Sequence, residues 1–290
     1  MDFPAQFQQL LEGQQPILAL APMQDVTDYR FWRLVSAFPG ADLYFTEYFR
    51  VHAVSRLDQG ILRSITENPT DRPVIAQIIG SDLDALVRTA RELQHYPIVA
   101  IDLNLGCPAP VVYRKAAGGG LLREPHRVDV ILGALRDAIS IKFTVKTRLG
   151  FAAPEEFDRL LPIYAKHSLD LLTVHVRTVM DSQQSEADYA RAAQAVAVLP
   201  CPVLANGNID SFRKARAVLD CTGARGLMIG RGAVRNPWLF DQIRRSLRRE
   251  PVQLPTGRQV MSYLKALFEA MAIPGFNEQA HVERMKKVPQ

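Results

Sequence analysis

The chain has 290 residues, 48% of them hydrophobic and 22% charged, so it can bury a core without disulfides or a structural metal, and intrinsic disorder is excluded. Its 35 Lys and Arg outnumber its 30 Asp and Glu by five, a balance that suits a polyanionic partner without requiring one. The three cysteines, Cys107, Cys201 and Cys221, make no CxxC pair, which points to a reducing compartment and away from zinc.

In chain order, short aliphatic or β-branched runs fall at 17–21, 43–46, 74–78, 98–103, 141–145, 171–174, 203–205 and 226–229. Their nearly continuous apolar character is that of strands buried on both faces of a parallel sheet. Between them, Thr27 is placed to cap a helix with Phe31, Leu34, Val35 and Phe38 on one face. Ser81 and Asp82 precede another helix, which carries Leu83, Leu86, Val87 and Ala90. Helical spacing recurs over 127–138, 154–167, 188–198 and 211–219. Eight alternations predict an α/β fold, a (β/α)8 TIM barrel over 1–243, with a doubly wound open sheet as the alternative. Arg244, Arg245, Arg248 and Arg249 before Pro251 and Pro255 mark a linker, and 244–290 is expected to be a short C-terminal helical extension. Its first helix would carry Val260, Tyr263, Leu264, Leu267, Phe268 and Met271 on one face, and its second would cover 277–287. No apolar run approaches the roughly 20 residues needed to cross a bilayer, and the Gln-rich start is unlike a signal peptide. A cytoplasmic monomer is expected.

Barrels carry their chemistry at the C-terminal ends of the strands. Ala21, Pro22 and Met23 follow the first strand, Thr46 and Glu47 the second, and Gln77 lies near the end of the third. Asn104 and Gly106-Cys107-Pro108 follow the fourth, Lys146 and Arg148 end the fifth, and His175 and Arg177 end the sixth. Asn206-Gly207-Asn208 and Gly230-Arg231-Gly232 follow the last two, where glycines let a backbone approach a phosphate and an arginine adds charge. The alternative there is a pair of glycine turns with a surface arginine. An ammonium such as Lys146 in an otherwise apolar strand needs an anionic or electron-rich partner, for which a flavin ring and a Schiff-base substrate compete. Cys107, followed by Gly118-Gly119-Gly120, is a candidate nucleophile or proton donor on a loop whose glycines suggest flexibility, whereas Cys201 and Cys221 read as buried apolar residues.

Taken together, Leu20-Ala21-Pro22-Met23, Thr46-Glu47, Gln77-Ile78-Ile79-Gly80, Asn104-Leu105-Gly106-Cys107-Pro108, Val145-Lys146-Thr147-Arg148, His175-Val176-Arg177-Thr178, Asn206-Gly207-Asn208 and Gly230-Arg231-Gly232 form a recognisable order. From about 17 to 240 the chain resembles the bacterial tRNA-dihydrouridine synthases. That resemblance implies an FMN barrel in which NADPH, or NADH, reduces the flavin and the flavin reduces the C5–C6 bond of a D-loop uridine in tRNA. By position it makes Cys107 the acid that protonates C5. It makes Ala21, Pro22, Met23, Gln77, Lys146, His175, Asn206, Gly207, Asn208, Gly230 and Arg231 the FMN contacts. Asn104 would read the base, and Arg177, Arg114 and Lys115 would meet phosphates; no metal is implied. Two departures stand out: Val176 replaces the glycine of the family's His-Gly-Arg-Thr, and 179–188 lacks its usual aromatic residue. A third is the length after the barrel, about forty residues where the family carries a helical tRNA-gripping domain. The competing expectations are an FMN barrel acting on a free pyrimidine or small enone, an inactive RNA- or partner-binding barrel, and a lysine aldolase.

Overall fold

The structure is a computed structural model that describes residues 2–182 and 184–272, with Gln279 and Val282. Nine parallel strands, β1 (Ile17–Leu20), β2 (Leu43–Phe45), β3 (Phe49–Arg50), β4 (Val74–Ile79), β5 (Ala100–Leu105), β6 (Lys142–Arg148), β7 (Leu171–His175), β8 (Val203–Asn206) and β9 (Gly226–Ile229), form one sheet. β1 pairs with both β2 and β9, and β2 also pairs with β4, so the sheet closes. β2 and β3 are two pieces of a single stave, which gives the eight staves of a (β/α)8 barrel. The four positions from Phe45 to Phe49 span only the three from Ile75 to Ile78 on β4, a bulge that the expected unbroken strand 43–46 did not contain. The Thr46 N–H still donates to Ile75 O at 3.0 Å, but past it the Gln77 N–H is accepted by the Thr46 Oγ1 side chain at 3.1 Å.

The two-residue period of each strand sorts its side chains between two cores. Leu18, Tyr44, Ala76, Leu103, Val145, Leu172, Ala205 and Leu227 pack outward against the helices. Ile17, Ala19, Leu43, Phe45, Ile75, Ala100, Leu171, Leu204 and Met228 point inward and fill the lower half of the barrel. Phe7 joins this inner cluster from a helix, Phe3–Glu12, that the sequence reading did not anticipate. The signal was there, in the spacing of Phe3, Phe7, Leu10 and Leu11, all of which pack on the inner core. Asp2 caps that helix at its start, and the Arg225 guanidinium, just before β9, donates to the carbonyls of Leu10, Leu11 and Gln15 at its end.

The helices follow the predicted order, with local corrections. Asp28, not Thr27, caps Tyr29–Val35 by accepting the Phe31 N–H; the Thr27 hydroxyl instead accepts the Met23 N–H at 2.8 Å and closes the turn above β1. Helix Leu239–Leu247 runs through position 243 and packs on Phe212–Thr222, so Arg244 and Arg245 belong to this helix and Arg248 and Arg249 follow its end. The extension helix, Gly257–Ala270, starts on a Thr256–Gln259 capping box. It packs beside Tyr29–Val35 and buries Tyr263, Leu267 and Met271, the Tyr263 ring against Phe38 and Trp238, while Val260 and Leu264 stay exposed, so its buried stripe is narrower than expected. Most of the expected helix 277–287 lies outside the described residues.

Phe7 is 1% exposed and closes the barrel floor. Phe7→Ala is expected to lower the unfolding free energy by roughly 3–5 kcal/mol through lost burial and a new cavity, read from the midpoint of urea denaturation at unchanged slope.

Candidate functional site

Above the apolar floor the inward positions of the strands become polar: Gln77 on β4, Asp102 and Asn104 on β5, Thr144, Lys146 and Arg148 on β6, His175 on β7 and Asn206 on β8. They lead into a cavity of about 610 Å³ at the C-terminal end of the barrel, within the range of cofactor sites. Of the sequence-predicted residues, Ala21, Pro22, Met23, Asn104, Cys107, Lys146, His175, Arg177, Asn206, Gly207, Asn208, Gly230 and Arg231 line it. Gln77 lies beneath it, wholly buried, and Arg114 and Lys115 stand exposed outside it.

Lys146 lies in the cavity wall, and burial, reinforced by the charge of Arg148, brings its ammonium down to about 8. His175 is held well below the usual imidazole range by burial first and then by Arg148, Lys146, Arg177 and Arg231, so its ring is neutral at pH 7. Its Nδ1 is buried without a hydrogen-bond partner. A buried ring nitrogen without a partner can serve as a donor or acceptor for a ligand. Arg177 is 2% exposed, and its guanidinium donates through Nε (2.8 Å) and Nη2 (2.5 Å) to the Ser185 carbonyl, which ties down the loop after β7.

The turn at Cys107 is fixed on every side. Asn104 Oδ1 accepts the N–H of both Gly106 and Cys107 at 2.9 Å, Arg148 Nε donates to Gly106 O at 2.8 Å, and Gly119 N donates to Cys107 O at 3.2 Å. The glycine run expected to provide flexibility is instead buried in a tight 3-10 helix, Gly118–Arg123. A Cβ on Gly119 would come within 2.4 Å of Val179 and 2.9 Å of the Cys107 carbonyl, so these glycines allow close packing of the turn and do not loosen it. Cys107 is half-buried, as is Cys201, and Cys221, expected inside, is exposed at the edge of the helix face that buries Ala215, Val218, Leu219 and Thr222.

Tyr48 and Asp102 escaped the sequence reading, whereas Glu47 and Arg148 were singled out there only as residues at strand ends. Tyr48 lines the cavity from the bulge together with Cys107, with burial, and then the neighbouring Cys107, pushing its hydroxyl up to about 12. Glu47, raised to about 8 by burial and then by Asp28 and Asp25, accepts the Val26 N–H and braces the turn that carries Met23. Arg148 joins the Cys107 turn to Thr178 O at 2.7 Å. Asp102 is enclosed at the base of the site. Its signal was a carboxylate inside an apolar run, which a strand-end search passes over. Among the described residues, no group of three or more His, Cys, Asp or Glu is placed to hold a metal, and no helix is long and apolar enough to cross a membrane.

Comparison with known proteins agrees with this architecture. The crystal structure of TcOYE with pHBA superposes with a TM-score of 0.62 over 88% of this chain and 96% of that one, at 11% identity, a likeness of fold. A probable tRNA-dihydrouridine synthase of Helicobacter pylori is 37% identical over 81% of this chain and 72% of its own length. The tRNA-dihydrouridine synthase B of Yersinia pestis is 37% identical over 79% of this chain and 72% of its own. That of Serratia marcescens is 38% identical over 79% and 69%. The family model of dihydrouridine synthase matches residues 19–284. The chain belongs to the dihydrouridine synthase family.

Proposed function

We propose that this protein is a flavin-dependent tRNA-dihydrouridine synthase that uses NADPH to reduce the C5–C6 bond of a D-loop uridine, acting as a cytoplasmic monomer in which a short helical extension follows the barrel. The observation that carries the reading is that Cys107, Lys146 and His175 line one cavity at the C-terminal end of a barrel of this family. The residues present fit FMN. Ala21, Pro22 and Met23 supply an apolar wall, and Gly230 leaves room that a Cβ would close to 3.2 Å from Met23 Sδ. The unpartnered His175 Nδ1 and the charges of Lys146 and Arg231 complete a donor set for a ring carbonyl and a phosphate.

Bound there, FMN would supply the two-electron reduction of the uracil, with NADPH as the source of the electrons. The chain's own part is to bind, orient and protonate. A uridine must leave its stack to reach such a cavity, and Asn104 at the wall offers a hydrogen bond to the base. Cys107 gives its thiol proton to C5 as charge develops there, so the uracil gains one hydrogen at each carbon and the sulfur is left as a thiolate. The positive field of Lys146 and Arg148 stabilises that thiolate until solvent returns the proton. Arg114 and Lys115, exposed beside the cavity, are placed to meet RNA phosphates.

Two outcomes are expected. Purified protein shows visible flavin absorption that NADPH bleaches without oxygen and unmodified tRNA restores; in Cys107→Ala the bleaching is unchanged and the recovery slows by roughly 10²- to 10⁴-fold. Protein that cannot be loaded with FMN overturns the reading, and recovery driven by a free pyrimidine or enone but not by tRNA moves the substrate to small molecules. Second, because Lys146 has its proton below about pH 8 and loses it above, FMN affinity of the apoprotein, followed by flavin fluorescence, weakens as pH rises through that value. Lys146→Met binds more weakly and without that pH dependence.

A further inference from the structure

The interior holds one carboxylate that the reaction above does not use. Asp102 lies midway along β5, in register with Gln77 on β4 and Thr144 on β6, so the three side chains meet at one level inside the barrel. Thr144 Oγ1 donates to Asp102 Oδ1 at 2.6 Å and Gln77 Nε2 donates to Asp102 Oδ2 at 2.7 Å. An ionised carboxylate only accepts, so Gln77 must turn its NH₂ towards Asp102 and its Oε1 towards Asn104. Asn104 Nδ2 then donates to Gln77 Oε1 at 2.8 Å, which leaves Asn104 Oδ1 for the N–H groups of Gly106 and Cys107. Of the two Nδ2 hydrogens of Asn104, one goes to Gln77 and the other remains for the cavity. Reversal at any link would set the Asn104 NH₂ against two backbone N–H groups and release the turn.

We propose that Asp102 is a positioning residue: acting through Gln77, it fixes the direction of the Asn104 amide, and with it the shape of the Cys107 turn and the presentation of a hydrogen-bond donor to the substrate. A donor there takes a carbonyl oxygen; a pyrimidine with an exocyclic amine at that place, as in cytosine, would oppose donor with donor. This rests on the function proposed above for its substrate, and on the hydrogen-bond chain alone for its effect on Cys107.

The test compares holoproteins carrying Asp102→Asn, which can hold Gln77 in either direction, and Thr144→Val, which removes only the other contact of the same carboxylate. Two more variants act one link on: Gln77→Met cuts the chain, while Gln77→Glu, protonated beside Asp102, keeps its direction. Iodoacetamide labelling of Cys107 is followed by mass spectrometry with the exposed Cys221 as internal reference, and kcat and KM are measured with unmodified tRNA. Asp102→Asn and Gln77→Met are expected to change the Cys107-to-Cys221 labelling ratio about threefold or more and to lower kcat roughly tenfold at nearly constant KM. Thr144→Val and Gln77→Glu stay near wild type in labelling. Wild-type labelling in Asp102→Asn, or in Gln77→Met where Asp102→Asn does not fold, overturns the proposal, as does an equal change in Thr144→Val. Wild-type protein that reduces no tRNA overturns the preceding reading instead, and the labelling ratios then decide this proposal by themselves.

Discussion

A closed parallel barrel has an interior that only its own side chains can fill, and every other feature of this molecule answers to that constraint. The inward positions of each strand change character partway up. Below, Ile17, Leu43, Ile75, Leu171 and Leu204 form a dry layer sealed by Phe7. Above, Asp102, Asn104, Lys146, His175 and Asn206 take the same columns. Polar groups sealed from water must find partners within the protein or in a ligand, so the boundary between the layers is also the boundary between scaffold and site.

The upper layer is electrostatically lopsided. Lys146, Arg148, Arg177 and Arg231 all bear on His175, and burial with this crowding keeps its imidazole neutral. Arg148 and Arg177 use part of their donor capacity on backbone carbonyls, of Gly106 and Thr178 in one case and Ser185 in the other. They are therefore structural ties that also leave a positive field over the cavity. An electron-rich ring or a phosphate entering that space meets charges already held in place, without reorganising side chains to do so.

Much of this was legible in the sequence because a strand buried on both faces must be apolar along its length. All eight staves were visible as aliphatic runs for that reason, and the polar residues that end them stood out by contrast. What was hidden depends on partners far away in the chain. Asp102 sits where a core residue belongs, and only the neighbouring strands show that Gln77 and Thr144 receive it. The bulge at Thr46–Tyr48 follows from register against β4, which no local pattern encodes. The glycines at 118–120 look the same in sequence whether they loosen a loop or allow it to pack, and the position of Val179 decides for packing.

The Arg225 clamp on the N-terminal helix has a consequence for how the molecule is made. The carbonyls it holds at Leu10 and Leu11 lie 215 and 214 residues earlier in the chain, and β1 finds its partner β9 over a similar separation. Contacts so distant in sequence carry the full cost of loop closure before they return any stabilisation. During synthesis this helix thus waits for the last strand of the barrel, and the floor is sealed only as the barrel closes. Until then the inner core that covers Phe3, Phe7, Leu10 and Leu11 is incomplete, so the apolar face of this helix is the part of the molecule whose burial comes late, far from the residues that line the cavity.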